Sequence, residues 1–220
     1  MSNPQKKRRT YKKALIMLVA IFLILIFRLV EYIGYDKAPG DRFVIMRVID
    51  GDTVELAGGD RLRLLGIDTP EKGELFYDSA AMFLESLVLG QKSRIEYADK
   101  RRDRYGRLLG FVYVEDTIFV NRRILSAGLG YLYLVKDQEL SRPRFKELLV
   151  AQRQAVGSKI GLWGIDRDYE DRYIASKLSL RFHRPGCNSA SRIKQSNIRT
   201  FENMQEPLYE GLSPCRICRP

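Results

Sequence analysis

Between residues 43 and 114, short runs of β-branched and aromatic residues alternate with turn signals at a spacing too tight for a helical bundle or βαβ units. Strands are predicted over 43–49, 53–56, 61–67, 93–97 and 108–114. Asp50-Gly51-Asp52 separates the first two, and Gly58-Gly59-Asp60 reads as a hairpin turn into the third. A helix over 78–89 places Ala80, Ala81, Phe83, Leu84, Leu87 and Val88 on one broad face, and a charged loop over 99–107 separates the last two strands. Helices are predicted over 120–127 and 141–159. The second of these has Ser141 as its N-cap and Phe145, Leu149, Gln152 and Val156 on one side. This pattern implies an α+β fold, a five-stranded β-barrel of the OB type with three helices.

Charge is unevenly distributed. The net +11 comes from the two ends: residues 1–13 carry six basic residues and no acid, and residues 172–220 carry nine basic against three acidic. Residues 14–171 are balanced, with 23 basic and 24 acidic, so the middle keeps carboxylates enough to hold a cation while the ends suit a polyanionic partner.

The basic residues 1–13 precede an apolar run from Ala14 to Phe27. If Arg28 snorkels, the usable length reaches about twenty residues, through Ile33. A cleaved signal peptide has a similar apolar core, but no small-x-small cleavage site follows within residues 29–35, which favours an uncleaved anchor. The expected organisation is a cytoplasmic tail 1–13, a transmembrane signal anchor 14–33 in the bilayer, a linker 34–42, a barrel domain 43–165 and a C-terminal module 173–220. Positive charge on the N-terminal flank places everything beyond the anchor outside the cytoplasm, on a single-pass protein of the cell membrane. Nothing in the residues requires an obligate protein partner.

Three stretches concentrate chemistry on loops between strands: Asp50-Gly51-Asp52-Thr53, Arg63 to Glu71 with Asp68-Thr69-Pro70 inside it, and Asp103-Arg104-Tyr105-Gly106-Arg107. Carboxylate oxygens suit calcium, and guanidinium forks match phosphate oxygens. Each stretch alone reads equally well as a turn, a helix start or a hairpin tip. Together, and in this order, they supply a cation site, two arginines and a spare glutamate.

In order and spacing these three stretches resemble the signature of staphylococcal nuclease (thermonuclease) domains, over residues 43 to 163. The resemblance implies that Asp52, Asp68 and the carbonyl of Thr69 ligate Ca2+. It also implies that Glu71 orients or deprotonates water, that Arg63 and Arg107 hold the scissile phosphate, and that DNA or RNA is cleaved to 3′-phosphate ends. Tyr105 is a candidate sugar or base contact. The chain departs from the family in a short loop over 72–77, in tyrosines 131 and 133 that do not align with the nucleotide pocket, and in Gln152 where relatives carry glutamate. The alternative is a membrane-anchored barrel that binds nucleic acid without cleaving it.

All three cysteines and the single histidine fall in the last 38 residues, as His183-x3-Cys187 and Cys215-x2-Cys218. Two close pairs of such ligands are what a closed structural Zn2+ site requires. Residues 173–220 also resemble the metal-binding module of the Ada DNA-repair protein, through the segment Pro214 to Pro220 and the earlier pair. Where Ada has a methyl-accepting cysteine this chain has His183, which cannot do that chemistry. A zinc module that contacts nucleic acid, or one that only stabilises the chain, are the readings left open.

Overall fold

The computed structural model describes residues 17–26, 42–135, 138, 142–165 and 172–220, in two units, Met1–Asp41 and Arg42–Pro220. In the first, residues 17–26 are helical with exposed apolar side chains. Among the described residues no helix is long and apolar enough to cross a membrane. The tail 1–13, positions 14–16 and 27–33 of the expected anchor, and most of the linker lie outside the described residues.

The second unit begins with β1 (Arg42–Asp50), β2 (Thr53–Leu56) and β3 (Arg61–Leu64), continues through β4 (Ile67–Asp68) to α1 (Tyr77–Val88), and then forms β5 (Lys92–Arg102), β6 (Leu108–Val114) and β7 (Ile118–Phe119). Six of these strands pair in the order β3-β2-β1-β5-β6-β7, and β3 pairs again with β6 in parallel, so the pairing runs round from β3 back to itself. Val54, Leu62, Leu64, Ile95 and Val112 point inward and are fully buried. Helix α1 buries Ala80, Leu84 and Val88, the inner part of its expected apolar face.

Two boundaries differ from the sequence pattern, each for a local reason. The third strand stops at Leu64 because Gly66 takes a φ of 77° and turns the chain. A Cβ there would stand 2.8 Å from Leu148, so the turn also needs glycine for close approach. The fifth strand runs on to Arg102 past an irregularity in its pairing. Arg102 ties its end to Asp60 at 3.0 Å, which shortens the charged loop to residues 103–107.

The chain continues through α2 (Val120–Ser126), β8 (Tyr131–Leu132) and α3 (Pro143–Gly157). Helix α3 starts with proline in its first turn, after an N-cap at Arg142 whose side chain does not cap the helix. Ser141, the expected cap, lies outside the described residues. Phe145, Leu149, Gln152 and Val156 are all buried, as their spacing predicts.

The C-terminal strands β9 (Tyr173–Ser176), β10 (Arg181–His183), β11 (Ile198–Phe201) and β12 (Ser213–Pro214) form a second sheet in the order β11-β9-β10-β12, with α4 (Gln205–Tyr209) between the last two in sequence. This sheet does not stand apart: Tyr173, Phe182, Leu208 and Leu212 share one apolar core with Val156, Leu162 and Trp163. Gln152, fully buried, joins the two parts. Its Oε1 accepts from the Leu132 amide at 2.6 Å, and its Nε2 donates to the Leu208 carbonyl at 2.9 Å. A glutamate in this position could not donate to Leu208, which accounts for the glutamine. Gln152→Glu is expected to cost about 3 kcal/mol by leaving a buried charge facing a carbonyl. The melting temperature should then fall by roughly 10 °C in a thermal melt.

Candidate active site

The turn between β1 and β2 packs so tightly that a Cβ on Gly51 would come within 2.6 Å of both Ala80 and the Thr69 hydroxyl. That approach delivers Asp52 to Thr69. Its Oδ2 accepts from the Thr69 amide at 3.1 Å and hydroxyl at 3.2 Å, and its Oδ1 accepts from the Thr53 hydroxyl at 3.0 Å. Burial pushes the Asp52 carboxyl up to about 7. Arg63 opposes the shift, while Asp50 and Asp68 add to it.

Arg63 folds back over the turn after β3. Its Nη1 donates to the carbonyls of Leu64 and Ile67 at 3.1 and 2.9 Å. Its Nη2 lies 3.0 Å from Asp52 Oδ2 and 2.8 Å from Asp68 Oδ1, so the two carboxylates flank a single nitrogen. Asp68 also receives a second guanidinium, from Arg216 near the C-terminus: Nε donates to Oδ2 at 3.0 Å, and Nη2 donates to Oδ1.

Asp68, Thr69, Pro70 and Glu71 border a cleft of about 760 Å³, whose other walls include Tyr131, Tyr133, Cys215, Arg216 and Arg219. Glu71 is exposed, and among the described residues no ion pair or hydrogen bond holds its carboxylate. Its amide donates to Glu74 Oε2 at 2.7 Å, and Arg219 forms an ion pair with Glu74. Tyr131 stands directly opposite Asp68 in the β4–β8 pair, so both tyrosines that sequence alignment leaves out of register line this cleft.

Arg107 lies just before β6, whose Leu109 is the register partner of Arg63. Its Nε donates to Asp103 Oδ2 at 2.8 Å, not to Asp52 or Asp68. Burial raises the Asp103 carboxyl, but hydrogen bonds from Arg107 and Tyr105 outweigh it and hold the group below its usual range. Tyr105 is 67% exposed, so it is no apolar plug. The guanidiniums of Arg104 and Arg107 lie 4.7 and 5.5 Å from its ring centre. With Asp60, Arg61 and Arg107 it borders a second, open cleft of about 620 Å³. The structure thus gathers Asp52, Arg63, Asp68, Thr69 and Glu71 around one place and sets Arg107 and Tyr105 on a neighbouring tip.

The ligand atoms of His183, Cys187, Cys215 and Cys218 lie within 4.8 Å of one another. His183 Nδ1 is 3.5 Å from Cys187 Sγ. The amides of Arg184 and Ile217 point at Cys218 and Cys215 sulfurs at 3.4 Å each. Burial lowers the His183 imidazole, keeping it in the neutral form that ligates metal. Burial raises the Cys187 thiol, but amide donors from Ala190 and Ser189 prevail and lower it. Burial also pushes Cys218 up to about 12, against the Arg184 amide and with two thiols close by.

Sequence reasoning missed Arg216 as a partner of Asp68. The two positions are 148 residues apart, and the Cys-x2-Cys spacing that frames Arg216 signalled only metal.

Comparison with known proteins agrees with this geometry. The family model described as Staphylococcal nuclease homologue matches residues 61–165, a range that holds Arg63, Asp68, Thr69, Glu71, Tyr105 and Arg107, with Asp52 just before it. The chain is 38% identical over 122 residues to an uncharacterized endonuclease of Escherichia coli, covering 54% of this chain and 74% of that protein. It is 29% identical over 163 residues to the thermonuclease of Staphylococcus intermedius, covering 68% and 94%. It is 28% identical over 130 residues to a micrococcal nuclease of Shigella flexneri, covering 54% and 71%. On this evidence of sequence and site, the chain belongs to the staphylococcal nuclease family.

Proposed function

We propose that this protein is a calcium-dependent phosphodiesterase that hydrolyses DNA and/or RNA to 3′-phosphate ends. The observation that carries the reading is the convergence of Asp52 and Asp68 on one Arg63 nitrogen, beside a cleft bordered by the exposed Glu71. We read the ring of strand pairings beneath it as an OB-type barrel.

The residues present fit calcium. Two carboxylates that share a hydrogen-bond donor are close enough for one ion with oxygens at about 2.3–2.6 Å. The burial that raises Asp52, together with its acidic neighbours, would be offset by a divalent charge. Asp52, Asp68 and the Thr69 carbonyl would hold the ion, which when bound supplies charge compensation at a phosphate oxygen. The protein's own groups do the remaining work. Arg63 is locked by the Leu64 and Ile67 carbonyls, so its Nη2 edge is preorganised toward the place where the phosphate would lie. Arg107 adds a second guanidinium from the neighbouring tip, where Tyr105 offers a ring face to a sugar or base. Glu71, whose carboxylate makes no hydrogen bond or ion pair among the described residues, accepts the proton of the attacking water.

Glu71→Gln keeps the shape of the side chain but cannot accept that proton. It is expected to slow single-turnover cleavage by about 10²–10⁴-fold while anisotropy shows oligonucleotide binding retained. A wild-type rate in this variant would place the base elsewhere.

The four Cys and His ligands fit tetrahedral zinc as a closed structural site. The basic tail and apolar run favour a single-pass anchor over 14–33 in the cell membrane, with the nuclease and zinc regions outside the cytoplasm. Protease added to sealed cells stripped of any outer barrier should then digest the folded unit. Complete protection would reverse the topology.

A further inference from the structure

We propose that Arg216, carried into the nuclease cleft by the Cys/His cluster, is a third phosphate-binding arginine of the nuclease site. The proposal rests on the nuclease reading above and adds a substrate contact from outside the region that the family model matches.

Arg216 sits between two cluster ligands, and its backbone is held by them. The Arg219 amide donates to the Cys215 carbonyl at 2.8 Å, and the Ile217 amide points at the Cys215 sulfur. From this turn the side chain passes the Tyr133 ring, with its guanidinium carbon 4.8 Å from the ring centre, and ends on Asp68. Arg181 lies at 3.8 Å from the same ring, so Tyr133 is bracketed by two guanidiniums. The arginine head is therefore aimed before any substrate arrives.

The pair is not needed to dock the C-terminal sheet. The Arg216 side chain is 52% exposed, although the Asp68 carboxylate it meets is only 13% exposed, so the guanidinium stays within reach of a ligand in the cleft. Docking of the C-terminal sheet is already supplied by the shared apolar core and by Gln152, Arg153 and Ser213, each of which hydrogen-bonds across the junction. Arg216 instead meets Asp68, one of the two carboxylates beside the Arg63 nitrogen. Asp52 and Asp68 thus set two carboxyl groups against the two guanidiniums of Arg63 and Arg216. A divalent cation held by the two carboxylates takes over their charge and leaves both guanidiniums to an anion. The anion that fits a planar two-pronged donor on the cleft wall is a phosphodiester group of a nucleic-acid strand.

The test uses the full chain in detergent with a single-stranded oligonucleotide and calcium, comparing wild type, Arg216→Ala and Arg216→Lys over a range of salt. For the alanine variant, KM should rise about tenfold with kcat changed by less than about threefold. The slope of log KM against log salt should fall by about 0.7, the loss of one phosphate contact on a single strand. The lysine variant keeps the charge but not the fork, so it should restore the slope with an intermediate KM. An unchanged KM and slope in the alanine variant would overturn the proposal. So would an unchanged KM with a lower calcium requirement, which would make Arg216 only a competitor for Asp68. Absence of calcium-dependent cleavage in the wild type would instead remove the nuclease reading itself.

Discussion

Replacing Asp52 with asparagine is expected to lower the rate of phosphodiester cleavage by about 10²–10³-fold and to raise the calcium needed for half-maximal activity, with far-UV circular dichroism unchanged. The fold should survive because asparagine satisfies the same bonds. Its oxygen can take the Thr69 amide that Asp52 Oδ2 accepts, and its amide can turn to the Thr53 hydroxyl, which accepts as readily as it donates. What is lost is one of two negative charges that flank the Arg63 nitrogen. A variant that cleaves at the wild-type rate at low calcium would remove Asp52 from the cation site.

Loss of a metal held by His183, Cys187, Cys215 and Cys218 is expected to act on stability. One zinc per chain is expected by elemental analysis of protein prepared without chelator. Its removal, or Cys218→Ser, should lower the melting temperature by roughly 10 °C. The damage should be uneven. The three cysteines pack in a small cluster with Ala190 and Ile193, whereas Tyr173, Phe182, Leu208 and Leu212 belong to the core shared with α3. Hydrogen exchange should therefore speed up around residues 184–194 and 215–220 and change little in β9 and α4. Metal-free protein with a Cys215–Cys218 disulfide and an unchanged melting temperature would contradict the zinc assignment.

The strand and helix pattern is legible from residues 43 to 159 because burial there follows simple periods, two for β3 and the start of β5 and about 3.6 for α1 and α3. Asp52 and Glu71 sit on short loops, and Arg63 and Asp68 in the short strands β3 and β4 beside them, so turn signals mark all four positions. Gly66 ended β3 early through a backbone angle that an apolar run such as Leu64-Leu65-Gly66-Ile67 hides. The relations that cross the chain were not legible. The Gln152 amide bridges Leu132 and Leu208, from two segments far apart in the chain. Tyr131 meets Asp68 through the pairing of β4 with β8. Arg216 reaches Asp68 across 148 residues. Each of these depends on a contact between distant segments, which local pattern does not encode.

Asp52 and Asp68 are proposed to hold a cation that the nuclease chemistry requires. The direct measurement is the rate of cleavage of plasmid and single-stranded DNA by the full chain, followed through calcium, then excess chelator, then calcium restored. Cleavage that appears with calcium, stops with chelator and returns on re-addition is the expected result. Equal cleavage in chelator, or tight nucleic-acid binding with no cleavage in calcium, would contradict it.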